Sequence, residues 1–381
     1  MTSEERHAAR RTRREAKRKE KRERDLAPYD NFAVMTDLNN LMEAARLSSR
    51  NVRRKASVQK YNMALMWNLE ETREKLLNGE DVRQGFIEFD LHERGKARHI
   101  RSMHFKERVV QRCICDFALV PVLTRPLVYD NGASLKGKGI HFAINRLRGM
   151  LMRYWRIHGN WNGWVLQVDF SKYFDNVQHN PVHDLLWSSF KDERLRDLAW
   201  SFVTAFGDEG IGIGSQVSQI LAVAYADRAD HALKERYRLG MSIRYMDDTI
   251  VISDSRERLE EALEGLRAIW AGLGIIVNDK KTQIIPMKKF TFLKVRLQLL
   301  DGGKVLMKPC RASFERMRRK LRSFHRFWLA RKMSMEQIDA AYTSWYGFQS
   351  HLHAHKALRN TDEYFNKLFG GNYVGVHRRA E

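Results

Sequence analysis

The stretch SIRYMDDTIVISD, residues 242–254, places two carboxylates, Asp247 and Asp248, side by side between two apolar runs. A strand that carries charge into its own centre pays heavily for it unless something pairs with that charge. The run therefore reads as two short strands with Met246-Asp247-Asp248 near the bend. A second acidic strand end lies upstream in GWVLQVDFSKYFDNV, where Asp169 follows the apolar run WVLQV. Two apolar strands in one sheet, each ending in aspartate, can bring three carboxylates together. Hard oxygen donors with room for phosphate oxygens suit Mg²⁺. A pair of such ions would activate a 3′-hydroxyl and stabilise a leaving pyrophosphate.

The rest of the chain reads outward from that pair. Apolar residues recur at helical spacing over 34–49, 57–78 and 105–126. GFIEFDLHERGKARHIRSMHF reads as two strands around the turn Arg94-Gly95. A Gly/Lys loop, YDNGASLKGKG, feeds a helix, and two more helices flank Lys191. FGDEGIGIGSQVSQ is a glycine-rich loop running into a long helix. RERLEEALEGLRAIWAGLG is a helix stopped by glycine. IIVNDKKTQIIP, FTFLKVRLQLL and KVLMKP read as short strands, and from Ser313 onward the chain is helical and basic. Strands interspersed with helices, without regular βαβ alternation, imply an α+β fold with an antiparallel sheet.

Lysine and arginine number 68 against 46 acidic residues, a formal net charge of +22 over 381 residues. An excess of that size, with aromatic residues among the cations, points to a polyanionic partner, foremost nucleic acid. Residues 1–27 are Arg-, Lys- and Glu-rich without an apolar stripe. They read as a solvated helix or disordered tail, as a nucleic-acid-binding arm, or as both. The three cysteines, Cys113, Cys115 and Cys310, have neither zinc nor disulfide spacing, which fits a reducing compartment. No apolar run approaches a membrane span, so no membrane partner and a cytoplasmic location are expected.

YMDD in a strand hairpin, DFSKYFD upstream and IGSQVSQ between them, in that order, resemble the palm of reverse transcriptases. GKARHI and FKERVVQ resemble the family's finger strands and following helix, and NGASLKGKGIHFAI resembles its finger loop. GIIVNDKKTQI and FTFLKVRL resemble the segments after the catalytic hairpin. The resemblance covers about residues 85–300. It implies a right-hand polymerase: fingers over 28–160, a palm with an antiparallel sheet over 161–300, and a small, basic, helical thumb over 301–381. It also implies RNA-directed DNA synthesis with two Mg²⁺ ions, for which Mn²⁺ can substitute, and dNTP substrates.

Carried over by position, the resemblance makes Asp169, Asp247 and Asp248 the metal-binding carboxylates, with Phe170 offering its backbone carbonyl. Lys281 would protonate pyrophosphate, and Lys96 and Arg98 would clamp the incoming triphosphate. Tyr245 and Met246 would lie beneath the primer end. Phe174 falls at the steric gate that excludes a 2′-hydroxyl, although its ring could equally be core. Ile213, Gly214 and Gln219 form the third motif, where most relatives have glutamine, glycine and later Ser-Pro. Ile-Gly-x-x-x-Ser-Gln resembles the enzymes of diversity-generating retroelements, and Leu135 departs from the arginine common in their finger loop. Related defence-associated bacterial reverse transcriptases also lack the usual third motif.

The implied partners are an RNA template and its RNA–DNA hybrid. A structured noncoding RNA would belong to the defence setting, and a small basic accessory protein to the retroelement. A catalytically idle nucleic-acid-binding scaffold is the reading from a different class, and the intact carboxylate set argues against it. In the tail, Phe314, Met317 and Leu321 fall on one helical face and cations on the other, which suits a surface tracking duplex phosphates. His351 and His355, one helical turn apart, have no companion ligand for zinc and read as surface or phosphate-contacting histidines.

Overall fold

The computed structural model describes residues 2–93 and 96–370, with the side chains of residues 92, 93, 96 and 98 excepted. The N-terminal segment is a solvated helix, α1 (Ser3–Leu26), started by a capping box between Thr2 and Glu5. Leu26 is its only buried residue, and the ion pairs Arg125–Asp25 and Lys191–Glu23 tie its end to the body.

The helix expected over 34–49 is two, α2 (Ala33–Thr36) and α3 (Leu38–Ser48). Asp37 divides them, because its carboxylate accepts the amides of Asn39 and Asn40 as an N-cap. The helix expected over 57–78 likewise breaks at Ala64 into α4 (Ala56–Met63) and α5 (Leu65–Asn78). Next comes an antiparallel pair, β1 (Phe86–Glu93) and β2 (Lys96–Met103), with Phe86 opposite Met103. The expected Arg94-Gly95 turn lies outside the described residues. α6 (Phe105–Ile114) passes through a π-helical turn (Cys115–Leu119) into α7 (Val120–Leu123). Pro121 has no N–H to give to the carbonyl four residues back, which is reason enough for the ladder to slip there.

α8 (Ile140–His158) leads into β3 (Trp164–Val168), followed by α9 (His179–Ser189), α10 (Glu193–Thr204), α11 (Gln216–Tyr225) and α12 (Asp227–Glu235). The hairpin that carries Asp247 and Asp248 is β4 (Ser242–Tyr245) and β5 (Asp248–Ser253), and α13 (Arg256–Gly272) follows. β6 (Gln283–Pro286) completes an antiparallel sheet of order β4-β5-β3-β6. IIVN, expected as strand, contributes one bridge, Val277 to Phe170. FTFLKVRLQLL divides into β7 (Lys289–Phe292) and β8 (Val295–Leu300), and β9 (Lys304–Pro309) pairs with β8. The tail is α14 (Arg311–Leu329), α15 (Met335–Ser350) and α16 (His355–Phe369).

The four-stranded sheet is buried on both faces, which explains its unbroken apolar runs. Leu166, Val168 and Val251 pack into one core with α2–α7 and α9–α13. Val165, Ile243, Ile250 and Ile252 pack into another with α8 and the β7-β8-β9 sheet. Met317, Leu321, Ile338 and Phe365 make a third, small core among α14–α16. The architecture is α+β with antiparallel sheets, in keeping with a right-hand polymerase. His351 and His355 do not share a helix. His351 caps α15 and its ring lies 4.2 Å from that of His141, while His355 opens α16.

Candidate active site

Register brings the carboxylates together. β3 pairs with β5 as far as Val168 opposite Thr249, so Asp169, the residue after β3, and Asp248, the first residue of β5, flank the last pair of the ladder. Neighbouring strands are ~4.8 Å apart. β4 and β5 are joined by only two residues, Met246 and Asp247, with Tyr245 paired to Asp248. Met246 adopts φ +54°, a left-handed conformation that a side chain with a Cβ disfavours. Burial, then the carboxylates of Asp247 and Asp169, push the Asp248 carboxyl up to about 6, against the pull of Lys281. Asp248 therefore lies within the electrostatic reach of both other carboxylates at this end of the sheet.

Asp169 is held from the segment before β6. Lys281 Nζ lies 2.8 and 3.1 Å from its two carboxylate oxygens, and Asn278 Nδ2 donates at 3.2 Å. The Asp169 carbonyl accepts the Asn278 amide at 2.8 Å, and its N–H donates to Thr282 Oγ1. Among the described residues, no three His, Cys, Asp or Glu side chains converge closely enough to make a ready metal-binding group. The donor set is nonetheless carboxylate oxygen throughout, the chemistry Mg²⁺ prefers.

Phe170 is buried, its ring against Tyr173 and Trp270. Phe174 and Ile213 line one cavity of about 250 Å³, together with His99, Arg101, Phe206 and Gly210. Gly214 beside it has φ +116°, and a Cβ there would meet the Arg101 carbonyl at 3.0 Å, so this crossing of loop over β2 requires glycine. Tyr245 and Met246 are half-buried, packed against opposite cores. Gln219 is exposed on α11 and does not line the cavity. Lys96 and Arg98 lie on β2, but their side chains are outside the described residues.

Sequence reasoning missed His99 and Arg101. They alternate with Arg98 and Ile100 along β2, so period-two counting would have singled them out once a pocket was known to lie on that side. It also missed Asn278 and Thr282, two polar residues in the loop that returns to the sheet beside Asp169.

Residues 92–297 match the model of the reverse transcriptase (RNA-dependent DNA polymerase) family. The chain is 23% identical over 246 residues to Protein YkfC of Escherichia coli, across 53% of this chain and 64% of that protein. It is 26% identical over 121 residues to the putative COX1/OXI3 intron 2 protein of Saccharomyces cerevisiae, across 29% of this chain and 14% of that protein. The chain thus spans less than two thirds of the length of either relative. Among solved structures it is similar to telomerase from Candida albicans in complex with a TWJ fragment of telomeric RNA, with TM-score 0.49, 12% identity, and 78% and 56% of the two chains covered. For apo telomerase from Candida tropicalis the values are 0.46, 14%, 80% and 64%. The family match takes in β2, the four-stranded sheet with its three aspartates, and most of the β7-β8 pair, which is more than half of the chain; this protein belongs to the reverse transcriptase (RNA-dependent DNA polymerase) family.

Proposed function

We propose that the protein is an active RNA-directed DNA polymerase that copies an RNA template into DNA from dNTPs. The observation that carries this reading is the placement of Asp169 just after β3 and of Asp247 and Asp248 at the β4–β5 turn of the same sheet, with Asp248 raised by burial first and then by the other two carboxylates. Asp169 and Asp247 would hold Mg²⁺ with Asp248 completing the set, and the ions would lower the charge on the triphosphate and activate the primer hydroxyl. Asp169 is oriented for this by Asn278 and Thr282. Lys281 is within reach of the same carboxylate and is suited to deliver a proton to pyrophosphate. Phe174 and Ile213 form the walls against which the sugar and the nascent pair would rest. The exposed cations of α14 suit the phosphates of an RNA–DNA hybrid, which is read by shape.

Within that reading we favour a low-fidelity enzyme of the diversity-generating type. Ile213 offers no hydrogen bond to the nascent pair, and an apolar wall discriminates by only ~1–3 kcal/mol. A defence-associated role remains the second setting, supported by the same departure in the third motif.

The test is primer extension on a primed RNA template with Mg²⁺ and dNTPs. Wild type extends; Asp247→Ala does not, while its fold and RNA binding are retained. Absence of extension by wild type with either Mg²⁺ or Mn²⁺ overturns the reading.

A further inference from the structure

Arg244 is the residue before YMDD, and its guanidinium is buried, 3% exposed, against Asp230 of α12, 5% exposed. Nε donates to both Asp230 oxygens at 2.9 Å, and Nη2 donates to Oδ2 at 2.7 Å. Its other hydrogen bonds go to backbone. Nη2 reaches the Val223 carbonyl at 2.8 Å and Nη1 reaches the Met246 carbonyl at 3.3 Å. A planar guanidinium makes these bonds from a fixed fork, so its two-point contact with Asp230 also fixes the direction in which Nη1 reaches the turn. The main chain of Arg244 is also occupied: its N–H donates to the Asp130 carbonyl at 3.2 Å, and its carbonyl accepts the Gly132 amide at 2.9 Å. Asn131 sends its own amide to the same Val223 carbonyl. One residue therefore joins α11, α12 and the two-residue turn through its side chain and the loop before α8 through its main chain.

That turn is the part of the hairpin least able to hold itself. It has two residues, Met246 sits in a left-handed conformation, and the flanking carboxylates repel one another. Burying a charge pair gains little stability over apolar packing, so such a pair calls for another explanation. We propose that Arg244 and Asp230 are positioning residues, a buried clamp that fixes the Met246 carbonyl and thereby holds the carboxylates of the Met246-Asp247-Asp248 turn where they can share divalent cations. The inference rests on the polymerase reading for its consequence and on the hydrogen bonds alone for its geometry.

The experiment separates position from stability. Arg244→Lys and Asp230→Asn keep most of the volume. The double variant Arg244→Met/Asp230→Leu removes both charges together and is expected to fold even where a single variant does not. Two readouts are taken. One is the Mg²⁺ midpoint for primer extension. The other is the ε-¹³C-methyl methionine spectrum, in which the Met246 line among 15 methionines is assigned by its loss in Met246→Leu. The expected result is a midpoint raised at least threefold in every folded variant, with the Met246 line shifted or broadened and primer–template affinity unchanged. Leu41→Ala, a core deletion in α3, should lower Tm without moving either readout. A double variant with the wild-type midpoint and an unmoved Met246 line overturns the inference, whatever its Tm. If wild type fails to extend any primer, the polymerase reading falls and the methyl spectrum alone decides whether the clamp fixes the turn.

Discussion

The Lys281 ammonium lies 2.8 Å from Oδ2 of Asp169, closer than any other side chain that bonds that carboxylate. A cation there can act in two ways: it can neutralise Asp169, or it can give a proton to the leaving group. The two differ in how they answer to metal. A merely neutralising lysine is replaceable by more Mg²⁺, whereas a proton donor is not. Lys281→Met is expected to lower the single-turnover incorporation rate by ~10²-fold, within the usual span for general acid catalysis, with a Mg²⁺ midpoint no higher than wild type. Recovery of the rate at high Mg²⁺ would leave Lys281 with the neutralising role alone.

Phe174 serves two masters in the structure. Its ring packs edge-to-face on Tyr173, at 5.8 Å and 85°, and it also lines the cavity that holds Ile213. The core and gate readings therefore do not exclude each other. Phe174→Val should relax sugar choice, with the dNTP/rNTP ratio of kcat/KM falling ~10- to 200-fold, the scale of a steric pocket difference. An unchanged ratio in a folded variant would assign the ring to the core only.

Ile213 is 38% exposed and stands on the cavity wall, so a longer polar side chain can extend into the opening without displacing a buried neighbour. Ile213→Gln should reduce misincorporation several-fold when both enzymes copy the same RNA and the products are sequenced. A wild type that is already accurate, and no improvement in the variant, would remove the link between this position and diversification.

What was legible follows the physics of each signal. The two strands ending in aspartate were readable because a sheet buried on both faces demands long apolar runs, and the charges stand out against them. The helix breaks at Asp37 and Ala64 were not, since the apolar period continues across both while a local cap or a single dihedral divides the helix. The left-handed backbone of Met246 and the Leu293-Lys294 linker were hidden because no glycine or asparagine marks them. The Arg244–Asp230 pair was hidden for a different reason. Fourteen positions separate its partners, and a charge next to YMDD looks like one more cation in a basic chain.

The β7-β8 hairpin offers a stability test of that last kind. Its two linking residues, Leu293 and Lys294, have φ of +46° and +65°, the conformations usually filled by Asn-Gly. Leu293 packs against the neighbouring core and has a reason to stay, but Lys294 is exposed. Lys294→Gly should stabilise the fold by about 1 kcal/mol, the cost of a left-handed residue with a Cβ, seen as a higher urea midpoint at unchanged m. A lower midpoint would mean that the lysine makes a compensating contact.

Asp227, at the start of α12, gives the expected pH dependence. Burial, opposed chiefly by His231, pushes its carboxyl up to about 6, and Oδ1 has no hydrogen-bond partner among the described residues. The raised value means that the folded state holds a proton which the unfolded chain has released above ~4. Stability attributable to Asp227 therefore falls as pH rises from ~4 to about 6, then stays flat. His231 is raised by its bond to Glu235, with help from Asp227, and its contribution also falls with rising pH as it loses its proton. Asp227→Asn removes the cost of the buried charge. Because the site is partly open to solvent, the gain at pH 7.5 is discounted to about 1 kcal/mol, and it should vanish near pH 4, where the wild-type carboxyl is already neutral in the fold. Denaturant unfolding of both proteins from pH 4 to 8 checks this. A variant less stable than wild type at pH 7.5 would show that the Asp227–His231 pair, at 3.4 Å, outweighs the burial of the charge.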